Sequence, residues 1–442
     1  MRVLIISFTT MRAAPSGPAY VAGAALAAGH TVEVFDSLFA PDLNGLEEQI
    51  SRFEPHVIGI SIKFVNGDIV DESAEFNTRR FDHRHKVKDM VERIEAVSDA
   101  HIVLGGPGFN YYGPHWFEYL DLDYGLRGEA DLSFPLYLQR LGEGGDVHSV
   151  PGCIFREDGH VQVVPRDLVA DLDATALPAY ELFDLDAYLE HGISPAIVTK
   201  RGCTFRCTFC PYSSLEGKRY RLKSPRRVVD EIEHVCQARG LKKVSFCDNS
   251  FNVPKKHARE ICQEILDRKL DIEWYTGALK PVGITDELCE LFKASGCTSV
   301  GLAVETASAT MLKSMGRGYT VDHVKKAMTC LNDSGLPFGV SLLFGAPGET
   351  PETIAETLDV IDSFSIPDGF WASIGLCLWT HHQAVVEDAR RAGQFESDKE
   401  LFDGAYYISP ELPKDYMIEL IGSLRARDDC TVQVNKAYAA SS

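Results

Sequence analysis

Short apolar runs that alternate with helical stretches restrict the fold of this chain more than any other feature. "RVLIISF" (2–8), "HVIGISI" (56–62) and "HIVLGGPG" (101–108) read as buried strands, each ending in a loop. Between the first two lies the small, Gly-rich "PSGPAYVAGAALAAGHTVEVFD", which reads as loop, helix and strand. This alternation predicts an α/β fold that opens with a doubly wound parallel sheet over residues 1–145, with ligands expected at the carboxyl ends of its strands, near Thr9–Gly17, Lys63–Asp68 and Gly105–Gly113. The polar insertion "FVNGDIVDESAEFNTRRFDHRHKVKDM" is longer than an ordinary strand-to-helix connection and is expected to act as a lid. A Pro- and Asp-rich stretch over 146–194 reads as a linker.

The alternation then resumes. "PAIVT", "KKVSFCD", "DIEWYTG", "SVGLAVE" and "FGVSLLFG" are separated by helical patterns, several of which stop at Gly. Five or more such units predict a full or partial β/α barrel over 195–442 with a C-terminal helical extension, its chemistry on loops at the carboxyl ends of the strands.

Length and composition fit two packed units: 442 residues, 45% apolar and 24% charged. The formal charge of −20 argues against non-specific nucleic-acid binding, which depends on Lys and Arg neutralising phosphates, and is compatible with a cationic substrate. No run approaches the length of a membrane span, and the first residues lack the features of a signal peptide. A cytoplasmic location is therefore expected, where thiols stay reduced and a tight cysteine cluster points to metal binding or catalysis.

Such a cluster follows "PAIVT". In "RGCTFRCTFC", Cys203, Cys207 and Cys210 are spaced C-x-x-x-C-x-x-C. Three soft thiolates on one loop suit an iron-sulfur cluster, whereas a structural zinc ordinarily takes a fourth Cys or His. Cysteines 236, 247, 262, 289, 297, 330, 377 and 430 are dispersed, mostly in helical or strand patterns, and read as packing.

The spacing and its setting resemble the signature of the radical S-adenosylmethionine (radical SAM) superfamily. The resemblance implies a [4Fe-4S] cluster on Cys203, Cys207 and Cys210, with SAM chelating the open iron and cleaved reductively to a 5'-deoxyadenosyl radical that takes hydrogen from a substrate carbon. It implies an electron donor such as flavodoxin or ferredoxin, and a small-molecule substrate. It also marks Phe209 as the residue whose backbone reads the adenine, Asp248 in "FCDNSF" as a contact near the methionine portion, Glu305 and Thr306 in "GLAVETAS" as contacts to the sugar or methionine, and Gly345 in "LLFGAPGET" as part of the adenine side. Read without the resemblance, Asp248 is a helix cap, Glu305 a strand-end ion pair and the turn after Phe344 a plain connection. The first 145 residues resemble the cobalamin-binding domain of a large radical SAM class, through "EPHVIGIS", "IVLGGPG" and "GLRGEAD" in that order. They lack the D-x-H-x-x-G stretch that brings an axial histidine elsewhere, and Lys63, Asp68 and Asp71 fall where a corrin would rest.

Two outcomes follow for the substrate radical. Redox-neutral dehydration of a cationic aminosugar in antibiotic biosynthesis is the favoured expectation; cobalamin-dependent C-methylation or cyclisation is the alternative, and a non-enzymatic metal protein is the rival from another class. Candidate acids for a departing hydroxyl are His381 and His382 in "LWTHHQA", His83 and His85 in "FDHRH", and Glu273, read as ending the strand in "DIEWY".

Overall fold

The computed structural model describes residues 1–9, 13–63, 69–71, 79–80, 84–378 and 383–435, with backbone alone at 69–71, 79–80 and 238–239. It is an α/β protein that divides into two compact units. The first is built from residues 1–65, 82–197 and 230–241, and the second from 66–81, 198–229 and 242–442.

In the first unit the apolar runs become β1 (Arg2–Phe8), β2 (Thr31–Asp36), β3 (Val57–Ile62), β4 (His101–Gly105) and β5 (Tyr124–Leu126). They lie in the order β2-β1-β3-β4-β5, all parallel. Val3, Leu4, Ile5, Ile6 and Phe8 are all buried, which is why β1 reads as an unbroken apolar run rather than an alternating one. The order reverses direction between β1 and β3, the crevice where open α/β sheets bind ligands. Lys63, at the end of β3, donates to the carbonyl of Ala14 across that crevice (3.3 Å).

The expected linker is instead partly sheet. β6 (Cys153–Glu157) pairs antiparallel with β5, and β7 (His160–Val163) pairs with β6. Cys153, Ile154 and Phe155 are buried, so three apolar residues between polar turns sufficed to recruit this stretch.

The second unit is a partial barrel. Six parallel strands, β8 (Lys243–Phe246), β9 (Glu273–Leu279), β10 (Cys297–Glu305), β11 (Phe338–Phe344), β12 (Phe370–Ile374) and β13 (Cys430–Asn435), stand in chain order. Each pairs in parallel with the next. The helices between them bury one stripe. In Lys255–Asp267 the buried residues are His257, Ala258, Ile261, Cys262 and Ile265, the one-face spacing of an α-helix. Thr350, with Pro351 at the first helical position, starts Pro351–Asp362 by accepting from the Thr353 N–H (3.4 Å).

Two sequence expectations change here. The C-terminal extension carries helices but returns as β13, a member of the sheet. The insertion expected as a lid contributes short strands, Ile69–Asp71 antiparallel to β13 and Arg79–Arg80 beside it. The rest of that insertion up to residue 83, with Asp68 and His83, lies outside the described residues, while His85 is exposed on the helix Arg84–Val97.

Candidate active site

The cysteine loop is held from several sides. Gly202 turns the chain into it with φ +88°, and a Cβ there would fall 2.1 Å from the Arg219 carbonyl oxygen, so the glycine of "RGC" is a steric requirement. Glu216 accepts from the Gly202 N–H (3.1 Å) and from Asn249 (2.7 Å), while the Cys203 N–H donates to Gly217 (3.0 Å). From the far side, the Thr208 N–H donates to Met315 (3.1 Å), an approach that works because Gly316 leaves room: its Cβ would lie 2.6 Å from the Arg206 carbonyl oxygen.

So fixed, Cys203, Cys207 and Cys210 line one cavity of about 520 Å³ together with Asp248, Lys280, Glu305 and Arg317. None of the three is in a disulfide. Three thiolates on one cavity wall fit an iron-sulfur cluster. A polynuclear cluster of this kind takes one thiolate for each of three irons.

The other expected residues separate into those that face the cavity and those that serve it from behind. Glu305 faces it. The register between β10 and β11 slips between Ala303 and Glu305, and Glu305 itself has φ +63°, a left-handed conformation that costs a non-glycine residue energy and recurs at functional sites. Phe209 lines the same cavity and an adjoining apolar one of about 290 Å³, walled by Leu343, Ile374, Leu376 and Val434; its carbonyl accepts from Gln383.

Asp248 reaches the wall but its carboxylate is spent internally. It accepts from the Thr199 N–H (2.8 Å) and hydroxyl (2.5 Å), and from the Lys200 N–H (3.3 Å) and ammonium (3.0 Å). With no side-chain exposure it anchors the cysteine loop rather than offering an oxygen to a ligand. Thr306 turns away from both cavities: its hydroxyl is paired with that of Thr357 (2.9 Å) and accepts from the Ser308 N–H (3.2 Å). Gly345 lines neither, and acts by close packing, since its Cβ would sit 3.3 Å from the Gly375 backbone that does line the apolar cavity. The turn after it is closed by Glu349, whose carboxylate accepts from the N–H groups of Gly345 and Ala346 (3.1 Å for the second). Burial pushes Glu349 up to about 7 against the pull of those two donors, and its other oxygen has no hydrogen-bond partner among the described residues.

Glu273 is displaced from its expected place. It opens β9 instead of ending a strand, lies at the amino edge of the sheet, and makes an exposed ion pair with Lys243 (3.3 Å). The strand runs six residues past the point assumed for its end, with Trp274, Thr276 and Leu279 buried along it. His381 and His382 lie outside the described residues.

Two cavity residues had no reading in the sequence, and two cysteines were read otherwise. Arg317 is buried and donates to the Cys207 sulfur (3.2 Å), with Glu305 at 3.6 Å. Lys280 is buried with its ammonium 5.6 Å from the Phe205 ring centre; burial lowers its pKa, and the nearby Arg317 charge lowers it further. Cys247, expected as packing, is exposed and lines the cavity, and Cys377 lines the apolar one.

Residues 197–361 match the radical SAM superfamily, so the chain carries a radical SAM domain, and its fold is that of the cobalamin-dependent radical SAM enzymes. Among individual proteins, it is 29% identical over 349 residues to an uncharacterized methyltransferase of Pyrococcus horikoshii, covering 78% of this chain and 72% of that one. It is 24% identical to the anaerobic magnesium-protoporphyrin IX monomethyl ester cyclase of Rubrivivax gelatinosus, over 81% of this chain and 63% of the cyclase. The structure of the radical SAM methyltransferase TsrM from Kitasatospora setae, solved with cobalamin and a [4Fe-4S] cluster, superposes with a TM-score of 0.76 at 20% identity, covering 96% of this chain and 88% of TsrM. No helix among the described residues is long and apolar enough to cross a membrane.

Proposed function

We propose that the chain is a radical SAM enzyme that holds a [4Fe-4S] cluster on Cys203, Cys207 and Cys210, binds SAM in the adjoining cavities, and transfers a methyl group to carbon with cobalamin. The observation that carries the reading is the convergence of the three cysteines, Glu305, Arg317 and Lys280 on one cavity at the carboxyl ends of the parallel strands. The methyl-transfer part is supported by the names of the relatives, and the ring-forming cyclase stands as its near neighbour. The aminosugar dehydration favoured by the sequence has no such support. Its acid candidate Glu273 sits at the opposite edge of the sheet from the cavity, in an exposed ion pair with Lys243.

When bound, the reduced cluster with SAM supplies a carbon-centred radical, and cobalamin a transferable methyl group. The chain's own residues bind and orient. Glu305, turned inward by the strand bulge, presents its carboxylate to hydroxyl or ammonium groups. The apolar cavity, walled by Leu343, Ile374 and Val434, offers a flat ring a desolvated seat, and Lys280 presents a cation for a carboxylate. The corrin is expected in the first unit at the carboxyl ends of β1 and β3.

The test is anaerobic reconstitution with iron, sulfide and hydroxocobalamin, followed by iron and cobalt analysis and turnover of methyl-deuterated SAM with a low-potential reductant. Retained cobalt, with deuterated methyl appearing on carbon, is the expected result. Cluster-dependent SAM cleavage with no cobalt retained and loss of water from the substrate would restore the dehydratase.

A further inference from the structure

We propose that Arg317 is a positioning residue that raises the reduction potential of the cluster held by Cys203, Cys207 and Cys210, and that Glu305 is its counterweight. The inference rests on the iron-sulfur reading above. Arg317 lies 110 residues from Cys207 in sequence, yet its Nη1–H donates to the Cys207 sulfur at 3.2 Å. The rest of the guanidinium is locked. Nη2 donates to the Ala303 carbonyl (2.7 Å), Nε donates to the Tyr319 hydroxyl (2.7 Å), and Cζ lies 5.6 Å from the centre of the Phe209 ring. A planar fork held at two other corners has one direction left for Nη1, so the bond to sulfur is imposed by geometry.

Adding an electron to the cluster adds negative charge to its sulfurs. A buried cation with an N–H aimed at a ligand sulfur stabilises that added charge, and hydrogen bonds to sulfur, net charge and solvent exposure are what set such potentials. The Glu305 carboxylate, 3.6 Å from Nη2, opposes the effect by neutralising part of the cation. The step is a one-electron reduction of the cluster by an external low-potential donor, with no bond made or broken.

The test is a redox titration of the reconstituted full chain, followed by electron paramagnetic resonance with dithionite and mediator dyes, after iron analysis of each sample. Arg317→Gln should shift the reduction equilibrium against the reduced cluster by about tenfold, about 59 mV downward for a one-electron couple. Arg317→Lys should fall between it and the wild type, because the charge stays and the fork is lost. Glu305→Gln should shift the potential upward. If Arg317→Gln does not fold or does not load iron, Glu305→Gln decides: an unmoved or lowered potential overturns the inference. A loaded Arg317→Gln protein titrating with the wild type also overturns it while leaving the cluster in place. Wild-type chain that takes up no iron overturns the cluster reading instead.

Discussion

Two buried charge systems lie within a few residues of the cysteine loop, and they are built on opposite principles. Lys200 and Asp248 form a closed pair: every oxygen of Asp248 is matched by Thr199 or Lys200, the Lys200 ammonium also donates to the Phe251 carbonyl (3.1 Å), and neither side chain is exposed beyond 2%. Arg317, Glu305 and Lys280 form an open set facing a cavity. Glu305 keeps 17% of its side chain exposed, and Lys280 has no carboxylate within ion-pair distance among the described residues. Burying a charge is costly unless it is paired and hydrogen-bonded. The closed pair meets that cost from within the fold and is scaffold, whereas in the open set Arg317 is met by the fold and Lys280 faces the cavity.

The comparison predicts different failures. The largest is at the thiols: Cys203→Ala, Cys207→Ala or Cys210→Ala should each reduce SAM cleavage to background while the far-ultraviolet circular dichroism stays that of the wild type. One variant with full turnover would break the assignment. Next comes the closed pair. Asp248→Ala leaves the Lys200 ammonium buried and unpaired, which should cost about 3–5 kcal/mol in denaturant unfolding. A loss below about 1 kcal/mol, the range of exposed pairs, would show that the pair is not closed.

Glu349 sharpens the contrast through pH. Its carboxyl is raised by burial to about 7, so between about pH 4.5 and 7 the native state holds a proton that the unfolded chain gives up. Stability contributed by the protonated form is complete at the acid end of that window and is lost as pH rises through 7. Relative to Glu349→Gln, the wild type should lose about 2–3 kcal/mol from pH 4.5 to pH 8. A difference independent of pH would remove Glu349 as the titrating group. The smallest effect belongs to Glu273. Glu273→Gln should change stability by no more than about 0.5 kcal/mol and leave turnover unchanged, as for other exposed ion pairs. A large loss of turnover would return it to the site.

The alternating strands were legible because a sheet covered on both faces leaves unbroken apolar runs, as β1 and β3 do. Glu305 was legible from its place at the end of "GLAVE". Asp248 was located but its use was not, since a carboxylate at a strand end reads alike whether it meets a ligand or a lysine of its own chain. Glu273 failed because the residues of "DIEWYTGAL" do not reveal where the strand starts. Arg317 and Lys280 gave no signal, because a lone cation in "MGRGY" or "ALKP" reads as solvated surface.

By itself the sequence determined what covalent spacing can determine. Three thiols within eight residues must share a neighbourhood, and apolar runs at regular intervals must form a covered parallel sheet. Only the tertiary structure decided which distant side chains join them. It spent Asp248 on Lys200, turned Thr306 toward Thr357, and brought Arg317 to Cys207 across 110 residues. Those contacts are set by where strands end and how loops pack over them, and in that packing the hydrogen-bonding needs of each buried group are met by the fold or left for a ligand.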